Sequence, residues 1–516
     1  MMESSFFDWA SEINNWSIIG SNHTESIPAD KFKRACYAEF LTNYLSTEGE
    51  NRSYVLNLNA EWGAGKTWFI KRWYHTVKDI HPSVYIDVWQ QDFSNDPLLT
   101  VVSSIIDQLK NLSGDIPNIP PAFSKKLFKL LKSTGKIVAR TALKSIHVDM
   151  DDIDLSIKDD DVNNIVDILF TSHKEQHEAI QEIKKDILEW IKSCRGKKQL
   201  KLPAFIFIDE LDRCRPSYAV EMLETIKHIF DIPGIVFVVA TDTEQLQHAI
   251  KAIYGNDFDA RSYLSRFFRR RFSLNSISRF DFVEDHFQKL PYTLPLESYW
   301  PTTSQDGNYY SQSVEIIAVT SDIFNLSLRQ TEQLIDKLTA IILSAKKNES
   351  KINLVLLTFL CAIHDKYHDI YLNIIDNKPL LNQVGRPYDI ASWLSQFNIK
   401  EISIELRPKQ VLGDKIRPHY DESRSFDSDE MVRNPFADGS FKLAYDTLIS
   451  SLLSLHHSRV DPSVLHDEIF RYASSLSSRR GAFNSMTPTL IRYELINSCT
   501  TLSFYKSLVE LATNLD

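Results

Sequence analysis

One stretch constrains this chain more than any other: Ala60-Glu61-Trp62-Gly63-Ala64-Gly65-Lys66-Thr67, preceded by Tyr54-Val55-Leu56-Asn57-Leu58-Asn59 and followed by an amphipathic run that starts at Lys66. The preceding run reads as a short buried strand, and strand, glycine loop, helix is the order that a phosphate site requires. The pattern is [GA]-x-x-x-x-G-K-[ST], with Ala60 where many such loops carry Gly. Gly63 and Gly65 let the backbone close in, so that successive N–H groups and the helix N-terminus cradle a phosphate. Lys66 is suited to neutralise the β and γ oxygens, and the Thr67 hydroxyl to ligate Mg²⁺, a hard cation that takes few protein ligands. The candidate nucleotide-binding loop is therefore Glu61, Trp62, Gly63, Ala64, Gly65, Lys66, Thr67 and Trp68.

The surrounding elements predict a doubly wound α/β sheet, mostly parallel. A second strand is expected over Ser83 to Trp89, and Asn95-Asp96-Pro97 opens a helix through Leu98, Val101, Val102, Ile105 and Leu109. Ala204 to Ile208 is continuously apolar, as in a strand buried on both faces. A helix over Tyr218 to Phe230, a turn at Ile232-Pro233-Gly234 and a strand over Ile235 to Ala240 repeat the alternation. Upstream, apolar residues at helical spacing predict a helix from Asp30 to Leu45, with Pro28 as a start signal. At roughly 100–200 residues per domain, 516 residues suggest about three structural units. The boundaries expected are an N-terminal helical segment over 1–47, the nucleotide core over 48–275 with a charged helical insertion over 113–201, a helical segment over 276–345, and a mainly helical region over 346–516. Lys400 to Ser440 reads as a long loop or a short-stranded excursion.

Acidic residues at the end of the Ala204 strand complete the chemistry. Asp209 is placed to hold the Mg²⁺ water shell, and Glu210 to polarise an attacking water. After the next strand, Thr241 or Asp242 is suited to sense the γ-phosphate, although either also serves as a helix N-cap. Tyr263-Leu264-Ser265-Arg266-Phe267-Phe268-Arg269-Arg270-Arg271-Phe272 follows at the place where oligomeric ATPases often carry an arginine finger. Arg266 is the first candidate and Arg269 the second, and either would imply a homo-oligomer. The alternative is a basic helix face or a clamp on nearby carboxylates.

With Trp89 after the second strand, the run Asp209-Glu210-Leu211-Asp212-Arg213-Cys214 and the loop Ala60 to Thr67 resemble the KAP group of P-loop NTPases, over roughly Asp30 to Leu338. The resemblance implies an ATP-binding core of the additional-strand kind with a helical lid over 276–345. It also implies Asp212 and Arg213 as a second acid and its neighbouring Arg; the residues themselves also fit an ion pair that fixes the loop after Asp209. Asn325-Leu326-Ser327-Leu328-Arg329-Gln330 is similar to the second sensor of related ATPases, which would put Arg329 over the γ-phosphate. A capped helix with a surface Arg is the other reading. Many members carry transmembrane helices between the two nucleotide motifs, and the 113–201 insertion has none. Soluble bacterial relatives occur in anti-phage defence operons and plasmid-borne phage exclusion, so defence and operon-encoded protein partners are what the likeness suggests. Adenine over guanine rests on the likeness too, since no N/TKxD motif follows the core.

Other classes are excluded or held as rivals. The N-terminus carries no secretory signal, and no run of 18 or more apolar residues occurs, so no transmembrane segment is expected. Five scattered cysteines without CxxC point to a reducing cytoplasm. No HExxH and no GxSxG is present, so no metal beyond Mg²⁺ and no nucleophilic serine is assigned. Lys125, Lys126, Lys129, Lys132, Lys136, Arg140 and Lys144 offer a basic helix for nucleic acid or an acidic membrane surface, although pairing with the acidic stretch that follows explains it equally. A net charge of −10 does not demand nucleic acid. The leading expectation is an ATPase switch; the rivals are a nucleotide-gated sensor or scaffold without multiple turnover, and a nucleic-acid-stimulated ATPase.

Overall fold

Every residue from Ala204 to Asp209 and from Ile235 to Thr241 is buried, and their side chains alternate between the two faces of one sheet. The computed structural model describes residues 7–16, 24–94, 96–113, 178, 180–189, 191–192, 200–228, 231–291, 294, 299–301, 309–344, 352–382, 385–406, 439–457 and 501–513. The basic helix read at 125–144 and the acidic stretch after it lie outside the described residues. The chain forms two units, Met1–Ser276 and Ile277–Asp516.

In chain order the first unit holds β1 (Ile13–Trp16), β2 (Glu25–Ile27), α1 (Ala35–Glu50), β3 (Tyr54–Asn59), α2 (Lys66–Val77), β4 (Ser83–Asp87), α3 (Val88–Gln91), α4 (Pro97–Ser113), β5 (Ala204–Asp209), α5 (Pro216–His228), β6 (Ile235–Thr241), α6 (Thr243–Tyr254), α7 (Ala260–Leu264) and β7 (Arg270–Ser273). The sheet has the order β4-β5-β6-β3-β7 and is parallel throughout. The additional strand β6 thus separates the loop-bearing β3 from the acid-bearing β5. Leu56, Leu58, Phe205, Phe207, Val236 and Val238 face one core with α1 and α2. Val55, Ile206, Ile208, Ile235, Phe237 and Val239 face the other with α4, α5 and α6. This period of two explains why the strands read as unbroken apolar runs.

Three local expectations are corrected. The first helix starts at Ala35 rather than Asp30 and runs on to Glu50, because the Asp30 carboxylate accepts from the N–H groups of Phe32 (3.1 Å) and Ala35 (2.7 Å) and folds the entry into a turn. The second strand ends at Asp87, whose carboxylate accepts from Gln90 N at 3.1 Å and caps α3; Trp89 lies on that helix, not on the strand. The segment before residue 47 is not helical alone, since β1 and β2 form an antiparallel pair. Their placement comes from tertiary packing: Trp16 stands edge-on to Tyr85, with the Lys71 ammonium 4.7 Å from its ring centroid.

α1 approaches β6 closely at Gly49, where an added Cβ would lie 2.3 Å from Val236 Cγ2 and 3.0 Å from Pro203 Cγ. Ala is the better helix former by about 1 kcal/mol, yet overpacking at such a contact costs about 1–3 kcal/mol. Gly49→Ala is therefore expected to lower the thermal midpoint, read by circular dichroism. A raised midpoint would show that the helix has room to shift.

The second unit is built from α8 (Arg279–Lys289), α9 (Tyr309–Ile323), α10 (Leu328–Ser344), α11 (Leu354–Lys366), α12 (His368–Ile375), α13 (Ile390–Leu394), α14 (Tyr445–His457) and α15 (Leu502–Thr513), with short strand pairs between them. Among those pairs, Glu401–Leu406 and Gly439–Ala444 run antiparallel at the two ends of the stretch read as irregular. Residues 354–363 of α11 are all buried, and one apolar core runs from Val283 to Ala512. The expectation divided this region at 345/346. Here α10 packs on both α11 and α15, so the apolar faces on either side of that division complete one core. No described helix is long and apolar enough to cross a membrane.

Candidate nucleotide site

The loop between β3 and α2 owes its shape to two left-handed glycines, Gly63 (φ 81°) and Gly65 (φ 79°), the second of which is the N-cap of α2. Residues with a Cβ avoid this region by roughly 1–2 kcal/mol, so the glycines keep the turn unstrained. The first-turn N–H groups of α2, from Lys66 to Trp68, have no partner within the helix and point out of its positive end. Lys66 is buried and folds back over the loop, its Nζ donating to the carbonyls of Ala60 (2.6 Å) and Glu61 (3.1 Å). Thr67 Oγ1 donates to Glu210 Oε1 at 2.8 Å.

Asp209 ends β5, fully buried. It accepts from Tyr85 Oη at 3.0 Å and from Glu210 N at 3.0 Å, and it pairs in register with Asp87 on β4. Burial, with Glu210 and Asp87 as like-charged neighbours, pushes its carboxyl up to about 7. A divalent cation here would favour the carboxylate. Thr67, Asp209 and Glu210 offer hard oxygen donors of the kind that suits a small cation also held by phosphates. Among the described residues no cluster of three or more His, Cys, Asp or Glu has the geometry to hold a metal alone.

The remaining expected residues fall into distinct places. Trp62 is exposed and its Nε1 donates to Asp212. Trp68 turns away from the loop, donating from Nε1 to Pro28 O at 3.0 Å and meeting Trp9 edge-on, so only its backbone N–H faces the cradle. Asp242 accepts from the N–H groups of Glu244 (3.0 Å) and Gln245 (3.3 Å), which is the N-cap alternative. Its neighbour Thr241 is fully buried beside Asn59 at the same sheet edge, and its hydroxyl has no hydrogen-bond partner. Arg213 pairs with Glu210 across one turn of 3₁₀ helix, not with Asp212.

Arg266 and Arg269 are exposed just before β7. Arg269 N donates to Val55 O at 3.0 Å, and β7 then runs parallel to β3 from Leu56 to Asn59. Both arginines therefore precede the entry end of the sheet, about 13 Å of strand from the loop at 3.3 Å per residue. Arg329 lies in the first turn of α10 in the second unit, where Ser327 and Gln330 form a reciprocal capping box. It is exposed.

Two contributors went unread in the sequence. Tyr85 was expected only as a strand residue. Arg34, almost fully buried, donates to Ala64 O at 2.9 Å and to Asn275 O at 3.0 Å, bracing the loop from behind. Burial pushes its guanidinium down to about 10. In the sequence it is one of three cations, with Lys31 and Lys33, at the mouth of an apolar helix, and nothing there sets it apart.

A parallel sheet with an additional strand, a glycine loop at its edge, and a threonine hydroxyl that follows this loop bonded to the acid after β5, one strand removed from β3, define a P-loop NTPase. The KAP family P-loop domain matches residues 34–345, and the chain belongs to that family. The phage T7 exclusion protein of Escherichia coli K12 is 22% identical over 275 residues, covering 51% of this chain and 36% of the relative. The match thus spans about a third of that protein's length. Among solved structures, C. elegans PCH-2 is similar at 12% identity over 66% of this chain and 70% of its own, with a TM-score of 0.27, too low to bear on the fold.

Proposed function

We propose that this chain binds Mg-ATP at the loop after β3, hydrolyses it through Glu210, and works as a cytoplasmic, oligomeric switch or energy-coupling subunit in bacterial anti-phage defence. One observation carries the reading: the Thr67 hydroxyl, at the start of α2, and the Glu210 carboxylate, just after β5, meet at 2.8 Å with Asp209 adjoining. In this scheme the first-turn N–H groups and Lys66 hold the β- and γ-phosphates. Thr67 and Asp209 would hold Mg²⁺, which would supply charge neutralisation to the phosphates. Glu210 takes a proton from the attacking water. Thr241, whose hydroxyl is unpaired, is a better γ-phosphate sensor than Asp242, whose carboxylate is occupied.

Arg266, or failing it Arg269, acts in trans, because both precede the entry end of the sheet and the loop lies at its exit. The name of the exclusion protein supports the defence role. The free thiols of Cys36, Cys214 and Cys361 accord with a reducing compartment.

Phosphate release from Mg-ATP, alone and with DNA or RNA, tests the scheme. Arg266→Ala is expected to lower turnover by about a thousandfold, and mixing it with Lys66→Ala protein should restore part of that loss, since each copy supplies what the other lacks. Loss in Arg269→Ala alone would transfer the role. No recovery on mixing would remove the trans arrangement, and stimulation by nucleic acid would favour the nucleic-acid-dependent reading.

A further inference from the structure

We propose that Arg213 is a positioning residue that latches Glu210 onto Thr67 and keeps the unactivated site weak for Mg-ATP, with Trp89 holding the latch closed. The proposal rests on the reading of Glu210 as the general base, and it concerns what restrains that base. Both carboxylate oxygens of Glu210 are engaged: Oε1 accepts from the Thr67 hydroxyl at 2.8 Å and Oε2 is paired with the Arg213 guanidinium. Glu210 itself is in the left-handed region (φ 62°), which a residue with a Cβ adopts only when its surroundings demand it. That backbone begins the turn Leu211–Arg213, and the turn returns Arg213 onto the carboxylate three residues back.

The guanidinium is held from outside as well, 5.4 Å from the Trp89 ring centroid. Trp89 stands there because Asp87 caps α3 immediately after β4. Its indole is half exposed, as is the Arg213 side chain, while Glu210 beneath them is largely covered. An acid held this way is compromised twice. Its negative charge, which would attract the cation, is neutralised by a guanidinium, and it is turned toward the metal-ligating hydroxyl instead of being free to orient a water. Opening requires only that Arg213 leave Trp89 and Glu210, a movement of one exposed side chain.

The test measures Mg-ATP and Mg-free ATP affinity by calorimetry, with turnover in parallel, for the full chain and its Arg213→Ala, Trp89→Ala and Trp89→Phe variants. Arg213→Ala and Trp89→Ala are expected to bind Mg-ATP about fivefold tighter, the scale of one partly exposed ion pair, with Mg-free ATP unchanged and turnover raised. Trp89→Phe keeps a ring and should behave as wild type. In a Glu210→Gln background the tightening should vanish; if it persists, Arg213 acts through bulk charge and the latch is wrong. Unchanged or weaker Mg-ATP binding, or a fall in turnover on removing Arg213, also overturns it. Should Arg213→Ala fail to fold, Trp89→Ala carries the same comparison. Tighter Mg-ATP binding without turnover in any protein would uphold the latch and defeat the ATPase reading, whereas Lys66-dependent turnover indifferent to Arg213 would do the reverse.

Discussion

Lys66→Ala is expected to weaken Mg-ATP binding by about a hundredfold to a thousandfold while leaving the protein folded. One unit charge about 4 Å from another at a partly covered site contributes about 4 kcal/mol at an effective dielectric near 20, and part of that is offset by the water that replaces the ammonium. The Lys66 ammonium is already drawn in over the carbonyls of Ala60 and Glu61, so it reaches the cradle without a new backbone conformation. The Glu61 carbonyl belongs to an exposed residue, where water can take over its bond, and only the bond to the buried Ala60 carbonyl is lost. α2 itself is anchored by Phe69, Ile70, Trp73, Tyr74 and Val77, all buried against the sheet. The change should therefore appear in calorimetric titration with Mg-ATP and move the thermal midpoint by no more than a few degrees. Wild-type affinity in Lys66→Ala would mean that the loop does not hold the phosphates, and every role assigned around it would fall.

What the sequence disclosed followed from how locally each feature is encoded. The loop was legible because phosphate binding requires its glycines, lysine and threonine within eight consecutive positions, and the flanking strand and helix have their own periodicities. The parallel sheet was legible for the same reason: buried strands such as Ala204–Asp209 are apolar without interruption. Features that depend on strand order were not. Tyr85 meets Asp209 because β4 and β5 are neighbours, and Arg34 meets Asn275 because β7 returns beside β3; in both cases the partners lie more than a hundred residues apart. Asp87, read as mid-strand, ends its strand because a side-chain cap competes locally with the ladder. The division at 345/346 was drawn where motifs run out, but Leu338 and Ile342 on one side and Tyr505 and Val509 on the other belong to one core. Helical periodicity shows that a face is apolar; it does not say what covers it.

Glu210→Gln is expected to retain Mg-ATP binding and to lower steady-state turnover by about a hundredfold to ten-thousandfold, the range in which a positioned general base contributes. The substitution preserves shape, and an amide oxygen still accepts from the Thr67 hydroxyl, so the loop, Lys66 and Asp209 keep their arrangement. What is lost is proton acceptance and the ion pair with Arg213. That second loss sharpens the expectation. With the guanidinium released, the glutamine variant should bind Mg-ATP at least as well as wild type, so a fall in turnover cannot be assigned to weak binding. Single-turnover experiments with the enzyme in excess separate the chemical step from product release: the slow step should be cleavage, with ATP recovered intact from the complex. Undiminished single-turnover cleavage would take the base away from Glu210. Asp209 would not replace it, because it is assigned to the cation and its carboxylate already accepts from Tyr85 Oη and Glu210 N, and the water would then have to be oriented from outside this acidic pair.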